Sequence, residues 1–168
     1  MSKTFVGHAF VAIGSNLSGD LDSPVSQVNR AFKNIEKLPK TVLNKRSSLY
    51  KSAAVGYLNQ PDFINAVAEI STNLSPEALL DALLNIELEA GRQRPFTNAP
   101  RVLDCDLLLY DDVKMATEKL TLPHPRMFER SFVLLPLGEI APNLTSPSGE
   151  SVVKLAENYL NQGVKKLT

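Results

Sequence analysis

Asp104 and Asp106 stand inside an otherwise apolar run, Val102-Leu103-Asp104-Cys105-Asp106-Leu107-Leu108-Leu109-Tyr110. The run reads as a buried strand. Strand side chains alternate between faces, so both carboxylates project from one side while Leu103, Cys105 and Leu107 project from the other. Burying an ionised carboxylate without a partner is costly, and a second like charge beside it adds to the cost. The pair therefore requires arginine or a metal ion. Arginine would make it a set of structural ion pairs, with Arg101 the nearest in sequence. Mg²⁺ would make it a site for chemistry, because that ion takes one or two carboxylates and completes its octahedron with water and substrate phosphates. Zinc is disfavoured: His8, His124 and Cys105 are the chain's nitrogen and sulfur ligands, and none has zinc-site spacing.

Other residues narrow the ligand. Lysine plus arginine equals aspartate plus glutamate at 18 each, so the broad basic surface that binds DNA or RNA is missing. Anion binding must be local. Five of the seven arginines, Arg92, Arg94, Arg101, Arg126 and Arg130, fall in one segment, and no lysine occurs from Ser52 to Val113. The planar guanidinium fork suits phosphate oxygens, which favours a triphosphate beside the aspartates. The Gly14-Ser15-Asn16 turn lacks the spaced glycine and lysine of a P-loop, and no glycine-rich dinucleotide fingerprint follows a strand.

The elements that must position these residues follow from patterning. At 168 residues and 43% hydrophobic, the chain suits one globular domain, taken as residues 1–168. His8 to Ile13 reads as a short strand. Ser23 and Pro24 start a helix, serine as cap and proline at its first position, with Val25, Val28, Ala31, Phe32, Ile35 and Leu38 at helical spacing before Pro39. Thr41 to Tyr50 is a weaker strand. Phe63 to Ile70 alternates, Ile64, Ala66, Ala68 and Ile70 on one face and Phe63, Asn65, Val67 and Glu69 on the other. Ser75 and Pro76 start a leucine-rich helix, and Gly91 suits the position just past its end. Leu80, Leu83, Leu84 and Glu87 fall within one arc of it, which puts a glutamate on the apolar face and in the last turn, where the helix dipole disfavours it. Either an ion pair with Arg92 or Arg101 or contact with a ligand accounts for that glutamate. A helix near Val152 to Leu160 closes the chain. The order strand, helix, strand, strand, helix, strand is the βαββαβ pattern of an α+β, ferredoxin-like antiparallel sheet with helices packed on one face.

Several motifs in order carry a family likeness: Gly14-Ser15-Asn16, Asn59-Gln60-Pro61-Asp62-Phe63-Ile64-Asn65, Ile86-Glu87-Leu88-Glu89-Ala90-Gly91-Arg92, Pro100-Arg101-Val102-Leu103-Asp104-Cys105-Asp106, and Pro123-His124-Pro125-Arg126 with Arg130 and Phe132. Together they resemble 6-hydroxymethyl-7,8-dihydropterin pyrophosphokinase of folate biosynthesis. The resemblance implies a three-layer αβα sandwich on the ferredoxin-like core, and transfer of pyrophosphate from ATP to the pterin's hydroxymethyl group with release of AMP. It places two Mg²⁺ ions on Asp104 and Asp106, and gives Asp104 a part in easing proton loss from the hydroxyl. It assigns Arg92 and Arg101 to catalysis and ATP, and Glu87, His124 and Arg130 to ATP. Phe63 and Phe132 become an aromatic sandwich for the pterin, Asn65 the amide that reads its ring edge, and Ser52 and Val55 loop residues that touch it largely through backbone. The chain departs from the family pattern at Cys105 between the aspartates, Thr97, Asn98, Pro125 and the short loop from Arg94 to Ala99. Parity points Cys105 away from the metals, as a packing residue.

Two other functions fit the residues: a non-catalytic ferredoxin-like module that binds a small ligand, and a metal-dependent phosphohydrolase or nucleotidyltransferase using the same aspartates. The single cysteine and the absence of a signal-peptide pattern lead to the expectation of a cytoplasmic monomer with small-molecule substrates and no nucleic-acid or membrane partner.

Overall fold

The computed structural model describes residues 7–53, 61–91 and 102–167. Strand β1 (Gly7–Ser15) leads into helix α1 (Pro24–Glu36), followed by β2 (Thr41–Arg46), β3 (Tyr50–Ser52), β4 (Phe63–Thr72), α2 (Pro76–Glu89) and β5 (Asp104–Tyr110). A hairpin of β6 (Met115–Ala116) and β7 (Thr121–Leu122) comes next, then α3 (Ser131–Ile140), α4 (Val152–Glu157) and β8 (Lys165–Lys166). The main sheet runs β5-β1-β4-β3-β8, with β2 also paired to β4, and every pairing in it is antiparallel. Its first four positions reproduce the ferredoxin-like order that the sequence pattern predicts. The weak strand at 41–50 is two pieces, both on β4, separated at Ser47 to Leu49.

Both long helices start as serine and proline dictate. Ser23 accepts from the Ser26 N–H and Ser75 from the Ala78 N–H, each at 3.2 Å, and proline follows each cap. Gly91, just beyond α2, takes φ +93°, a backbone state that glycine adopts without steric cost.

Helices cover both faces of the sheet, whereas element order alone implies one. Val28, Phe32 and Ile35 of α1 and Leu79, Leu83 and Ile86 of α2 pack against Val11, Ile13, Ala66, Ala68 and Ile70 on the first face. On the second face, Val133, Leu134 and Leu137 of α3 and Val152 and Leu155 of α4 pack with Phe10, Val67 and Leu108. The three-layer αβα arrangement implied by the resemblance is the one observed. Helix α3 goes unread in the sequence because it is apolar almost all round, squeezed between sheet and α4, and carries Pro136 in its interior. Truncating a fully buried leucine such as Leu83 to alanine in either layer costs about 2–5 kcal/mol.

Alternation along β5 holds from Leu103 to Leu108 and then fails. Phe10 of β1 pairs with Leu109 and Val11 with Leu107, so Leu108 is an extra residue. This bulge keeps Leu109 on the α3 side with Leu108 and returns Tyr110 to the face of α1 and α2. It also offsets which backbone groups of β5 face outward from the sheet edge.

Candidate active site

Asp104 and Asp106 lie on the α3 side of β5, and Leu103, Cys105 and Leu107 lie in the core beneath α1 and α2. Cys105 is thus a packing residue, its thiol pushed well up by burial and then by the negative charges of Glu87, Asp104 and Asp106. Asp104 is buried and Asp106 half-buried.

The row of residues across the sheet from Asp104 explains the floor of the adjoining cleft. Asp104 pairs with Gly14, Gly14 with Asn65, and Asn65 with Tyr50. Gly14 leaves an opening between the acid and the amide. A Cβ there would lie 3.3 Å from Asn65 Oδ1 and 3.8 Å from the Phe63 ring. The opening is the base of a cleft of about 540 Å³ walled by Phe63 and Asn65 on one side and by Phe132 and Arg130 on the other. Asn65 Nδ2 donates to Ser52 Oγ at 2.7 Å, which fixes the amide with its oxygen over Gly14. Ser52 lies at the end of β3, not in a loop, and its hydroxyl holds Asn65. The Arg130 guanidinium lies 5.4 Å from the centre of the Phe132 ring, and Phe132 itself is half-buried, partly core and partly cleft wall.

A second cavity of about 280 Å³ lies on the outer edge of β5. As an edge strand, β5 presents outward backbone groups that need partners. Glu87 Oε2 accepts from the Cys105 N–H at 2.7 Å, and the His124 N–H donates to the Leu108 carbonyl at 2.9 Å. These two bonds bring the end of α2 and the segment after β7 against the aspartate strand. The buried side of α2 is Leu79, Leu83, Ile86 and Glu87, a rotation from the arc read in the sequence; Leu80 and Leu84 line the second cavity. Glu87 thus has a backbone partner that neither sequence reading anticipated. Lys119 and Thr121, which the sequence analysis passed over, also line this cavity, with Lys119 Nζ 2.9 Å from Asp81.

The Nδ1 atom of His124 accepts from the Arg126 N–H at 3.2 Å, so the neutral ring carries its proton on Nε2. Burial holds His124 below its usual value, the charges of Arg130 and Arg126 add to that, and Asp104 opposes it. A neutral imidazole that donates from Nε2 suits a phosphate oxygen.

Glu87, Asp104 and Asp106 each place one carboxylate oxygen within 4.8 Å of the others. Such a set of hard oxygen donors suits Mg²⁺ and fits poorly with soft metals. Asp106 belongs to the walls of both cavities. Arg92, Arg101 and Val55, and the departures at Thr97 and Asn98, fall outside the described residues. Arg130, read as an ATP residue, lines the larger cleft with Arg126 and Glu129. Gln162 and Val164 from the C-terminal segment also reach that cleft; no motif marks them.

Paired acids at the junction of two cavities on an αβα sandwich fit the class of divalent-metal transferases that bring two substrates together. The particular family is clear from relatives. Residues 10–142 match the family of 7,8-dihydro-6-hydroxymethylpterin-pyrophosphokinase, and the chain belongs to that family. It is 43% identical over 159 residues to the 2-amino-4-hydroxy-6-hydroxymethyldihydropteridine pyrophosphokinase of Haemophilus influenzae, covering 95% of this chain and 97% of that one. The Pseudomonas aeruginosa enzyme of the same name is 41% identical over 162 residues, covering 96% and 98%. The fold is also that of solved HPPK-DHPS chains. One in complex with substrates gives a TM-score of 0.69 at 12% identity, and a Plasmodium falciparum A437G form gives 0.67 at 15%. This chain is covered to 94% and 95%, and it spans less than half of those longer chains, 44% and 47%. No helix among the described residues is long and apolar enough to cross a membrane.

Proposed function

We propose that the two cavities divide the reactants, the pterin in the larger cleft and the ATP polyphosphate along the edge cavity. The reaction is transfer of pyrophosphate from ATP to the hydroxymethyl group of 6-hydroxymethyl-7,8-dihydropterin, a step of folate synthesis. Phe63 and Phe132 supply flat apolar contacts for the pterin ring, and Asn65, held by Ser52, supplies an amide for its polar edge. Glu87, His124 and Lys119 line the polyphosphate side; the resemblance adds Arg92, Arg101 and Arg130 as guanidinium groups for the phosphate oxygens. The observation that carries this reading is the position of Asp106 in both walls, with Asp104 beside it.

Asp104 and Asp106 would hold the divalent cations, two Mg²⁺ ions in the fullest form of this reading. When bound, the ions neutralise charge on the polyphosphate oxygens. In the transfer, the hydroxymethyl oxygen forms a bond to the β-phosphorus while the bond from that phosphorus to the AMP oxygen breaks. The hydroxyl proton leaves toward Asp104. Holding the alcohol and the phosphorus in line accounts for most of the acceleration, because little covalent work falls to the protein. Residues 1–168 act as one pyrophosphokinase domain, a cytoplasmic monomer.

Mass analysis of products after mixing the protein with ATP, Mg²⁺ and the reduced pterin alcohol tests the assignment. AMP and a pterin diphosphate in equal amounts are expected. ADP or free phosphate without a modified pterin would contradict it.

A further inference from the structure

The C-terminal segment forms a strap across the larger cleft. After α4, the chain makes a short 3-10 turn at Leu160–Gln162, reverses at Gly163 with φ +74°, and enters β8. Strand β8 pairs with Tyr50 and Lys51 of β3, and the Leu167 N–H donates to the Leu49 carbonyl at 2.8 Å. That end of the strap is fastened to the strand whose Ser52 fixes Asn65. The other end is fastened to the opposite wall. Gln162 Oε1 accepts from both the Ser131 N–H at 2.9 Å and the Ser131 hydroxyl at 3.0 Å, and Gln162 Nε2 donates to the Glu129 carbonyl at 3.0 Å.

These bonds do work that α3 cannot do for itself. The residue before the helix, Arg130, contributes no side-chain capping bond, and Ser131 is fully buried. A buried N–H and hydroxyl at a helix start need acceptors. Gln162 supplies one oxygen for both, from a distant part of the chain. The residues on either side of Ser131 are Arg130 and Phe132, which form the cleft wall opposite Asn65.

We propose that Gln162 is a positioning residue for the pterin site: it sets the start of α3, and through it Phe132 and Arg130, at a fixed separation from Phe63 and Asn65. It acts through Ser131 and Glu129. The strap makes the gap between the two walls a property of the C-terminal segment. The inference rests on the placement of the pterin in this cleft.

Steady-state kinetics on the full chain, with both substrates varied, decide the matter. Gln162→Met keeps length and removes every bond; the KM for the pterin alcohol should rise about tenfold while the KM for ATP stays within about twofold. Gln162→Glu keeps the oxygen that Ser131 needs but turns a second oxygen toward the Glu129 carbonyl, and should raise the pterin KM about threefold, less than Gln162→Met does. A merely structural residue would instead lower the melting temperature or the active fraction with the pterin KM unchanged, and that result overturns the strap. An equal rise in both KM values overturns it too. If Gln162→Met does not fold, Gln162→Glu decides alone: a pterin KM raised about threefold at constant ATP KM is expected, and an unchanged pterin KM is the contrary result. Calorimetry on the unsubstituted protein with Phe63→Ala as control separates the two layers: loss of pterin affinity in that control is expected, and its absence would remove the pterin from the cleft irrespective of Gln162.

Discussion

The larger cleft draws its walls from the middle of the sheet and from α3, whereas the smaller cavity is assembled on the outer edge of β5 from the end of α2 and the β6–β7 hairpin. The first is a gap left in a packed interface: glycine at position 14 where a larger residue would fill the floor, half-buried phenylalanines at either side, and an amide pinned by a serine. Its shape is fixed by core packing, which suits a rigid, flat ring. The second is a set of polar groups gathered at an exposed strand edge, where Glu87 and His124 bond the β5 backbone. That construction suits a flexible, highly charged chain of phosphates. The two meet at Asp106, and substitutions should sort by which cavity they touch.

Removing the shared acid should do most. Asp106→Asn is expected to lower kcat by about a thousandfold or more, because charge neutralisation at both reactants is lost, with the fold intact by circular dichroism. Phe63→Ala comes next. It should weaken pterin binding by about ten- to a hundredfold through lost aromatic contact while leaving an ATP analogue's affinity nearly unchanged in calorimetry. Lys119→Ala should show the converse and smaller pattern, an ATP KM raised about five- to tenfold at constant pterin KM. Its stability change should be slight, since the exposed pair with Asp81 is worth at most about 1 kcal/mol.

The smallest effect concerns pH. His124 is held below its usual 6.5 by burial, with Arg130 and Arg126 adding to the effect. Between the folded value and 6.5 the unfolded chain binds more protons, so this residue's contribution to stability is whole above 6.5 and fades as pH falls toward the folded value. Urea midpoints measured across that range should slope downward toward acid, and the slope should flatten in His124→Gln. A slope unchanged by the substitution would assign it to another group.

The same division explains what could be read from sequence. Asp104, Asp106, Phe63 and Asn65 were legible because strand parity alone fixes which residues share a face, and both strands are long enough to show it. The helix starts at Ser23 and Ser75 were legible because capping chemistry is local. The bulge at Leu108 was not, since an extra residue in an apolar run leaves no mark on composition. Helix α3 was hidden by its near-uniform apolarity and by Pro136. Glu87 announced itself as misplaced, but that it accepts from the backbone N–H of Cys105 was not legible, because no pattern of side chains reveals a backbone donor's address. Gln162 was invisible for a related reason: its bonds reach 31 and 33 residues back along the chain to Ser131 and Glu129. Local chemistry reads well and long-range pairing does not.

The most direct test is a crystal structure with Mg²⁺, a non-hydrolysable ATP mimic and the pterin alcohol bound together. The expected result is divalent density coordinated by Asp104 and Asp106, with the polyphosphate running from the edge cavity to the pterin hydroxyl above Gly14. Carboxylates of Asp104 and Asp106 engaged only by arginine side chains, with the nucleotide bound elsewhere, would contradict it.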